Sequence, residues 1–192
     1  MDFLISIDHS LFEFLNSTLT HPWLDVFFPW ITDLHKSPLF QVTAYPLIFF
    51  SLYYFYGKKS FIIFLSLFFC IASTDFIGSQ LIKKNVNRLR PGDNPGVHSV
   101  VKSPYGGTSF ISNHSANMFA FASFTSVFLP PMTIPFYFLA LLAAYSRVYV
   151  GVHFPLDVLF GGLFGYLNGK IFSFLCLRLF KLKNPFKKRV SQ

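Results

Sequence analysis

Three short polar segments interrupt an otherwise apolar chain: Lys83 to Pro91, Ser112 to His114, and Ser146 to Asp157. Together they supply cations, two imidazoles and a carboxylate. That combination suits phosphate-ester chemistry, because an ionised phosphate needs several fixed positive partners and an imidazole serves as nucleophile or as proton donor. In the first segment six residues separate Lys83 from the Arg90-Pro91 pair, and Pro91 stiffens the backbone that carries the guanidinium. Taken alone, Lys83, Lys84, Arg88 and Arg90 read as ordinary charge in a loop flanking a membrane helix. Asp75, Ser79 and Lys83 recur at four-residue spacing, which places them on one face of the helix entering the segment.

In the second segment Ser112 or Asn113 is a good N-cap for the apolar helix that follows. Free backbone N–H groups at such a helix start form an anion site, and His114 beside it can deliver a proton to a leaving oxygen. In the third, five residues follow Ser146-Arg147 before His153, and Asp157 stands four residues later. Pro155 suits the first turn of a helix. Four-residue spacing brings the Asp157 carboxylate near His153, where it holds one ring nitrogen protonated and leaves the other as a nucleophile. Each segment alone also has a bland reading: loop charge, a plain helix cap, a structural His-Asp pair. The three in this order are a stronger signal than any one.

The elements that must position these residues read as membrane helices. The chain has 192 residues, is 53% hydrophobic and 20% aromatic with 28 Phe, and carries only 12% charged residues. A soluble domain averages about 25% charged residues, so lipid is the expected solvent. Apolar stretches near the roughly 20 residues that span a bilayer fall at Pro38 to Tyr56, Ser60 to Ile82, Asn113 to Leu129, Met132 to Val150 and Phe154 to Leu177. The expected fold is all-α: an integral membrane helical bundle of five or six transmembrane helices in a single domain over 1–192.

The first 36 residues hold Asp8, Glu13, Asp25 and Asp33, yet Leu4, Ile7, Leu11, Leu15 and Leu19 fall on one helical face. Ser10 with Glu13 reads as a capping box. Trp23 and Trp30 are the only tryptophans, and that residue favours the headgroup region. Interfacial helices are the favoured reading over a sixth span. With neither a basic start nor a cleavage site, the segment does not read as a signal peptide.

Residues 178–192 form a basic tail, read as a cytoplasmic anchor to anionic lipid. With five spans, nine Lys and Arg lie on the tail side against seven on the other, a tally that barely discriminates. Setting aside Lys83, Arg90 and Arg147 as site residues makes it nine against four, which favours a cytoplasmic tail and polar segments on the outer face. The net charge of +8 sits at span ends and in the tail rather than on a soluble aromatic-studded face, so nucleic acid is not expected as a partner. Cys70 and Cys176 fall inside spans, so neither a disulfide framework nor a cysteine metal site is expected.

On these motifs the chain resembles the type 2 phosphatidic acid phosphatase superfamily of integral membrane lipid phosphatases, which also includes soluble acid phosphatases and vanadium haloperoxidases. Lys83, Arg90 and Pro91 match its first motif, and Ser146, Arg147, His153 and Asp157 its third. The second, usually Pro-Ser-Gly-His, reads Ile111-Ser112-Asn113-His114 here. Losing Pro removes rigidity, and Asn tolerates positive φ better than other non-glycine residues.

The resemblance implies that His153 attacks phosphorus to form a phosphohistidine, that Asp157 orients it, and that His114 protonates the leaving oxygen. Lys83, Arg90 and Arg147 hold the phosphoryl oxygens with Ser112 and the backbone around Asn113. No metal or other cofactor is implied. Partners are a phosphorylated membrane lipid and the bilayer, in a bacterial inner membrane with the site facing outward. Undecaprenyl diphosphate is the favoured substrate, with lipid A 1-phosphate, phosphatidylglycerol phosphate and phosphatidic acid behind it. A non-catalytic lipid-binding protein and a small anion transporter using Asp75 are the alternatives.

Overall fold

The computed structural model describes residues 2–186. Its elements, in order, are α1 (Asp2–Glu13), a π-helical turn Phe14–Thr18, α2 (Pro22–Asp33), α3 (Pro38–Tyr56) and α4 (Ser60–Phe76). A second π-helical turn Ile77–Ile82 carries α4 into the short α5 (Lys83–Asn85). A long loop then leads to α6 (Asn113–Phe128), α7 (Thr133–Tyr149) and α8 (Pro155–Leu179). Among the described residues there is no strand, as expected.

Gly57, at φ 55°, turns the chain between α3 and α4. Phe49 of α3 meets Phe64 of α4 at a ring separation of 5.6 Å, so the two form a hairpin. Among the described residues, two helical stretches are long and apolar enough to cross a bilayer by themselves, Pro38–Asn85, which holds this hairpin, and Pro155–Leu179. At 16 and 17 residues, α6 and α7 are shorter, and α6 is rich in Ser, Thr, Asn and Ala. The expected count of five or six spans is therefore met only in part. The outer faces fit lipid: Leu39, Phe50, Phe61, Phe68, Ile134, Leu159 and Phe174 are all exposed, a continuous apolar display that water would not tolerate.

The core is the contact between α6 and α8, and glycine makes it close. A Cβ on Gly161, Gly165 or Gly169 would stand 2.5, 1.9 and 2.6 Å from the carbonyl oxygens of Ser112, Ala116 and Ala120. Two small-residue stripes at four-residue spacing thus bring the backbones together, the packing device expected where lipid removes the hydrophobic drive between helices. Gly165→Ala therefore has to push α6 and α8 apart, at a cost above the roughly 1–3 kcal/mol typical of overpacking. Its melting temperature in detergent should fall well below that of Gly106→Ala, whose new methyl meets nothing within 4 Å.

Polar groups add to the bundle. Asn168 of α8 donates to Thr74 Oγ1 at 2.7 Å and to the Cys70 carbonyl at 3.3 Å. Both cysteines are buried and unbridged.

The N-terminal segment departs from its sequence reading in one respect. Ser10 and Glu13 lie inside α1, so they form no capping box at its start. Asn16 ties the segment down: it donates to the Tyr149 carbonyl at 2.8 Å and to the Val100 carbonyl at 3.0 Å, and accepts from the Val100 N–H at 2.7 Å. Phe28 of α2 packs on Tyr145 and Tyr149 of α7, while Trp23 and Trp30 are exposed. Lys187, Lys188 and Arg189, part of the expected basic tail, lie outside the described residues.

Candidate active site

Arg90 is the most firmly held cation. Pro91 is buried behind it. Its Nε donates to the Gly107 carbonyl at 2.9 Å, Nη2 to Gly106 at 2.9 Å and Nη1 to Val152 at 2.7 Å. Nη1 also faces His153 Nε2 at 3.2 Å. A guanidinium only donates, so Nε2 is the acceptor nitrogen of the ring and the proton sits on Nδ1. The single lone pair of Nε2 accepts from Arg90 here, and a phosphate that draws the guanidinium onto its own oxygens would release that pair.

Nδ1 does not reach Asp157 directly. The two are 3.7 Å apart, and Ser109 Oγ lies 3.3 Å from Nδ1 while donating to Asp157 Oδ2 at 2.5 Å. The same carboxylate oxygen accepts the Phe154 N–H at 2.9 Å. The expected His-Asp pair is therefore a three-member chain with a serine in the middle. Four-residue spacing brings side chains together only when both residues are helical, and α8 starts at Pro155. His153 stands outside in the preceding turn, and Asp157 bends back to cap the Phe154 N–H.

His153 is 2% exposed. Burial, reinforced by the Arg90 and Lys83 charges and opposed by Asp157, pushes its pKa down to about 3. The ring is neutral at any physiological pH, the state a nitrogen nucleophile requires. The turn that presents it depends on Gly151, at φ 79°, where a Cβ would stand 2.6 Å from the Val100 carbonyl oxygen. The Val152 and His153 N–H groups both return to the Arg147 carbonyl, at 3.1 and 3.2 Å.

Asp75 and Ser79 do converge, as their spacing predicts, on Asn113 Nδ2. Lys83, just past the π-helical turn, lies within electrostatic range of Asp75. Lys83 Nζ donates to the Thr108 carbonyl at 2.9 Å and stays within electrostatic range of Arg90, Asp157 and Arg147. Arg147 is 6% exposed and its Nη1 donates to Thr32 Oγ1 of α2 at 2.7 Å. Its Nε is buried with no hydrogen-bond partner, a donor without an acceptor, of the kind a bound anion satisfies.

Ser112 caps α6, and its N–H donates to the Asp157 carbonyl at 3.0 Å, locking the starts of α6 and α8 together. His114 is the second residue of α6 and half-buried. Asn113 is helical, and among the described non-glycine residues only Lys181 has a positive φ. The tolerance of Asn for that region is therefore not used. Its side chain instead reaches Asp75 of α4 and the π-helical turn that follows, where a Cβ on Gly78 would stand 2.8 Å from Asn113 Oδ1. The Phe110–Ile111 peptide bond leading into this helix is cis.

Three residues of this constellation escape the sequence reading: Ser109, Arg88 and Asp8. Arg88, read there as loop charge, bridges Asp157 Oδ1 at 2.6 Å to Asp8 Oδ2 of α1. Its only sequence signal is its place two residues before Arg90. Ser109 has none beyond lying three residues before Ser112, and Asp8 reads only as a polar break in an apolar face.

A family model described as the PAP2 superfamily matches residues 63–181, a stretch that holds every predicted catalytic and phosphate-binding residue. The chain belongs to this family. Among curated PAP2 relatives, a lipid A 4'-phosphatase of Porphyromonas gingivalis is 30% identical over 175 residues, covering 88% of this chain and 72% of the relative. Two solved PAP2 folds resemble it over nearly their whole length. One is the phosphatidylglycerolphosphate phosphatase of Bacillus subtilis, with TM-score 0.69, 25% identity and coverage of 96% of this chain and 90% of that one. The other is Aquifex aeolicus LpxE, with TM-score 0.63, 29% identity and coverage of 85% and 92%. The chain is a membrane PAP2 phosphatase and an enzyme of lipid phosphate hydrolysis.

Proposed function

We propose that the chain cleaves a phosphate monoester from an envelope lipid through a phosphohistidine on His153, with lipid A phosphate the favoured substrate. The observation that carries this is the state of His153: Nε2 faces Arg90 at 3.2 Å and Nδ1 leads through Ser109 to Asp157. Nε2 attacks phosphorus, the bond to the lipid oxygen breaks, and His114 supplies the proton that oxygen needs. Negative charge on the three equatorial oxygens falls to Lys83, Arg90 and Arg147, with the Ser112 hydroxyl and the N–H groups at the start of α6. Water then attacks the phosphohistidine, gives its proton to His114, and inorganic phosphate leaves. Three fixed cations take the part that Mg²⁺ plays in other phosphoryl-transfer sites.

An apolar cavity of about 460 Å³ supports a lipid substrate. Val148, next to Arg147, and Pro155, two residues after His153, line it together with Leu141, Leu163 and Tyr166 further along α7 and α8. A hydrocarbon tail fits there. The P. gingivalis relative favours lipid A phosphate and the B. subtilis neighbour phosphatidylglycerol phosphate, whereas undecaprenyl diphosphate has no specific support from either. The reading places α6 and α7 across the membrane beside α3, α4 and α8, in a bacterial inner membrane with the site on the outer face.

The test is phosphate release by the purified protein in detergent, with EDTA throughout, from lipid A, phosphatidylglycerol phosphate, phosphatidic acid and undecaprenyl diphosphate. Release from lipid A at the highest kcat/KM is the expected result. Strict Mg²⁺ dependence would overturn the cation mechanism, and a preference for undecaprenyl diphosphate the substrate.

A further inference from the structure

We infer that Asp8 of α1 is a positioning residue of the catalytic centre: through Arg88 it sets how strongly Asp157 supports His153. The inference rests on His153 as the attacking group. Asp8 lies outside the region that the PAP2 family model matches, in a helix whose sequence reads as an interfacial anchor.

Asp8 is 2% exposed. Its Oδ2 pairs with Arg88 Nη2, and its Oδ1 accepts the Leu156 N–H at 2.8 Å. Arg88 Nη1 carries the chain on to Asp157 Oδ1 at 2.6 Å. The other Asp157 oxygen is the one that meets Ser109 and, through it, His153 Nδ1. Five groups thus form one line: Asp8, Arg88, Asp157, Ser109, His153. One guanidinium is shared between two buried carboxylates.

That sharing has a chemical consequence. When Nε2 bonds to phosphorus the ring gains positive charge, and the Asp157 carboxylate stabilises it through Ser109. A guanidinium devoted wholly to Asp157 withdraws much of that support by holding the negative charge on Oδ1. Asp8 takes part of the guanidinium's charge and returns basicity to Asp157. It also fixes the direction of the bridge, because a second carboxylate on Nη2 stops Arg88 from rotating off Oδ1.

The packing around the line keeps it in register. Arg88 lies 4.2 Å over the Phe154 ring, with His9 stacked on that ring at 4.8 Å and Phe12 meeting it edge-on at 5.3 Å. Phe154 is the residue between His153 and α8. The helix that bears Asp8 therefore grips the backbone beside the nucleophile as well as its carboxylate.

The experiment compares D8N, D8E, R88K and H153A in the full-length protein, measuring kcat, KM and the rate of phosphoenzyme formation by quenched flow with a ³²P-labelled lipid monoester. D8N should lower kcat and the phosphorylation rate by about 10- to 100-fold, the scale on which groups orienting a reactive side chain act, with KM changed less than about twofold. D8E, which keeps the charge, should recover most of the loss, and D8N added to R88K should cost little more than R88K alone. A folded D8N with parental kcat overturns the inference, and so does a D8E as impaired as D8N, which assigns Asp8 to packing alone. If D8N does not fold, R88K decides in its place, since a folded R88K with parental kcat breaks the line at its centre. H153A separates the two levels: a phosphoenzyme that persists in H153A removes the proposed function, whereas a dead H153A beside a normal D8N removes only the role of Asp8.

Discussion

His153→Ala abolishes turnover and leaves no phosphorylated protein when the enzyme is mixed with ³²P-labelled lipid and quenched in alkali, where phosphohistidine survives. The loss should be at least about 10⁴-fold, the scale seen when an attacking side chain is removed outright. The structure allows no substitute nucleophile at that place. Arg90 Nη1 meets the ring at Nε2, and Ser109 Oγ meets it at Nδ1, on the opposite side from the attacking nitrogen, where it donates to Asp157. Folding should survive, because α8 is held by the glycine contacts with α6 and by Asp157 on the Phe154 N–H rather than by the imidazole. A monodisperse detergent complex with unchanged helical content, and no activity, is the expected pair of results. Activity above the background of a mock preparation would make His114 the candidate nucleophile.

What the sequence discloses of this site is the set of groups proposed to face the phosphate. Lys83, Arg90, Arg147 and His153 are charged or titratable residues in an apolar chain, and such residues stand out because lipid makes each one costly. The groups behind them do not stand out. Ser109 is one small hydroxyl among many, and its place between His153 and Asp157 arises from two loops meeting, which no local spacing encodes. Arg88 sits in a cluster of cations where any one looks like loop charge until a buried carboxylate is found opposite. Asp8 comes from 149 positions before Asp157, a separation printed in their numbers alone and bridged only by the fold.

The fold divides in the same way. Glycines at four-residue spacing in α8 predict a close partner, and the carbonyls of Ser112, Ala116 and Ala120 supply it. Hydrophobicity predicts α3, α4 and α8 well because their outer faces meet lipid. It finds α6 too, Asn113 to Leu129 against the observed Asn113–Phe128, but not its place at the centre of the bundle, where Ala116, Ala120, Ser123 and Thr125 are buried and small residues allow close packing. The π-helical turn at Ile77–Ile82 leaves no apolar signature either, yet Lys83 follows it directly and reaches the Thr108 carbonyl.

The proposed mechanism gives the two histidines unequal tasks, and that inequality predicts a second large effect. His114→Ala removes the proton donor to the leaving oxygen while leaving His153, Ser109, Asp157 and Arg90 in place. General acid catalysis contributes about 10²- to 10⁴-fold, so loss of that size is expected on a lipid monoester, whose alkoxide leaves only when protonated. On para-nitrophenyl phosphate the leaving group is already a weak base, and the same substitution should cost far less. Phosphoenzyme should still form from the aryl ester, since the nucleophile is untouched. Its hydrolysis should slow, because the water that attacks phosphorus then has no base to take its proton. The aryl substrate should therefore give a burst followed by a slow steady state in His114→Ala, measured by stopped-flow absorbance at the nitrophenolate band. Equal losses on both substrates, with no burst, would show that His114 binds phosphate rather than moving a proton, and would leave the leaving oxygen to Lys83 or to solvent.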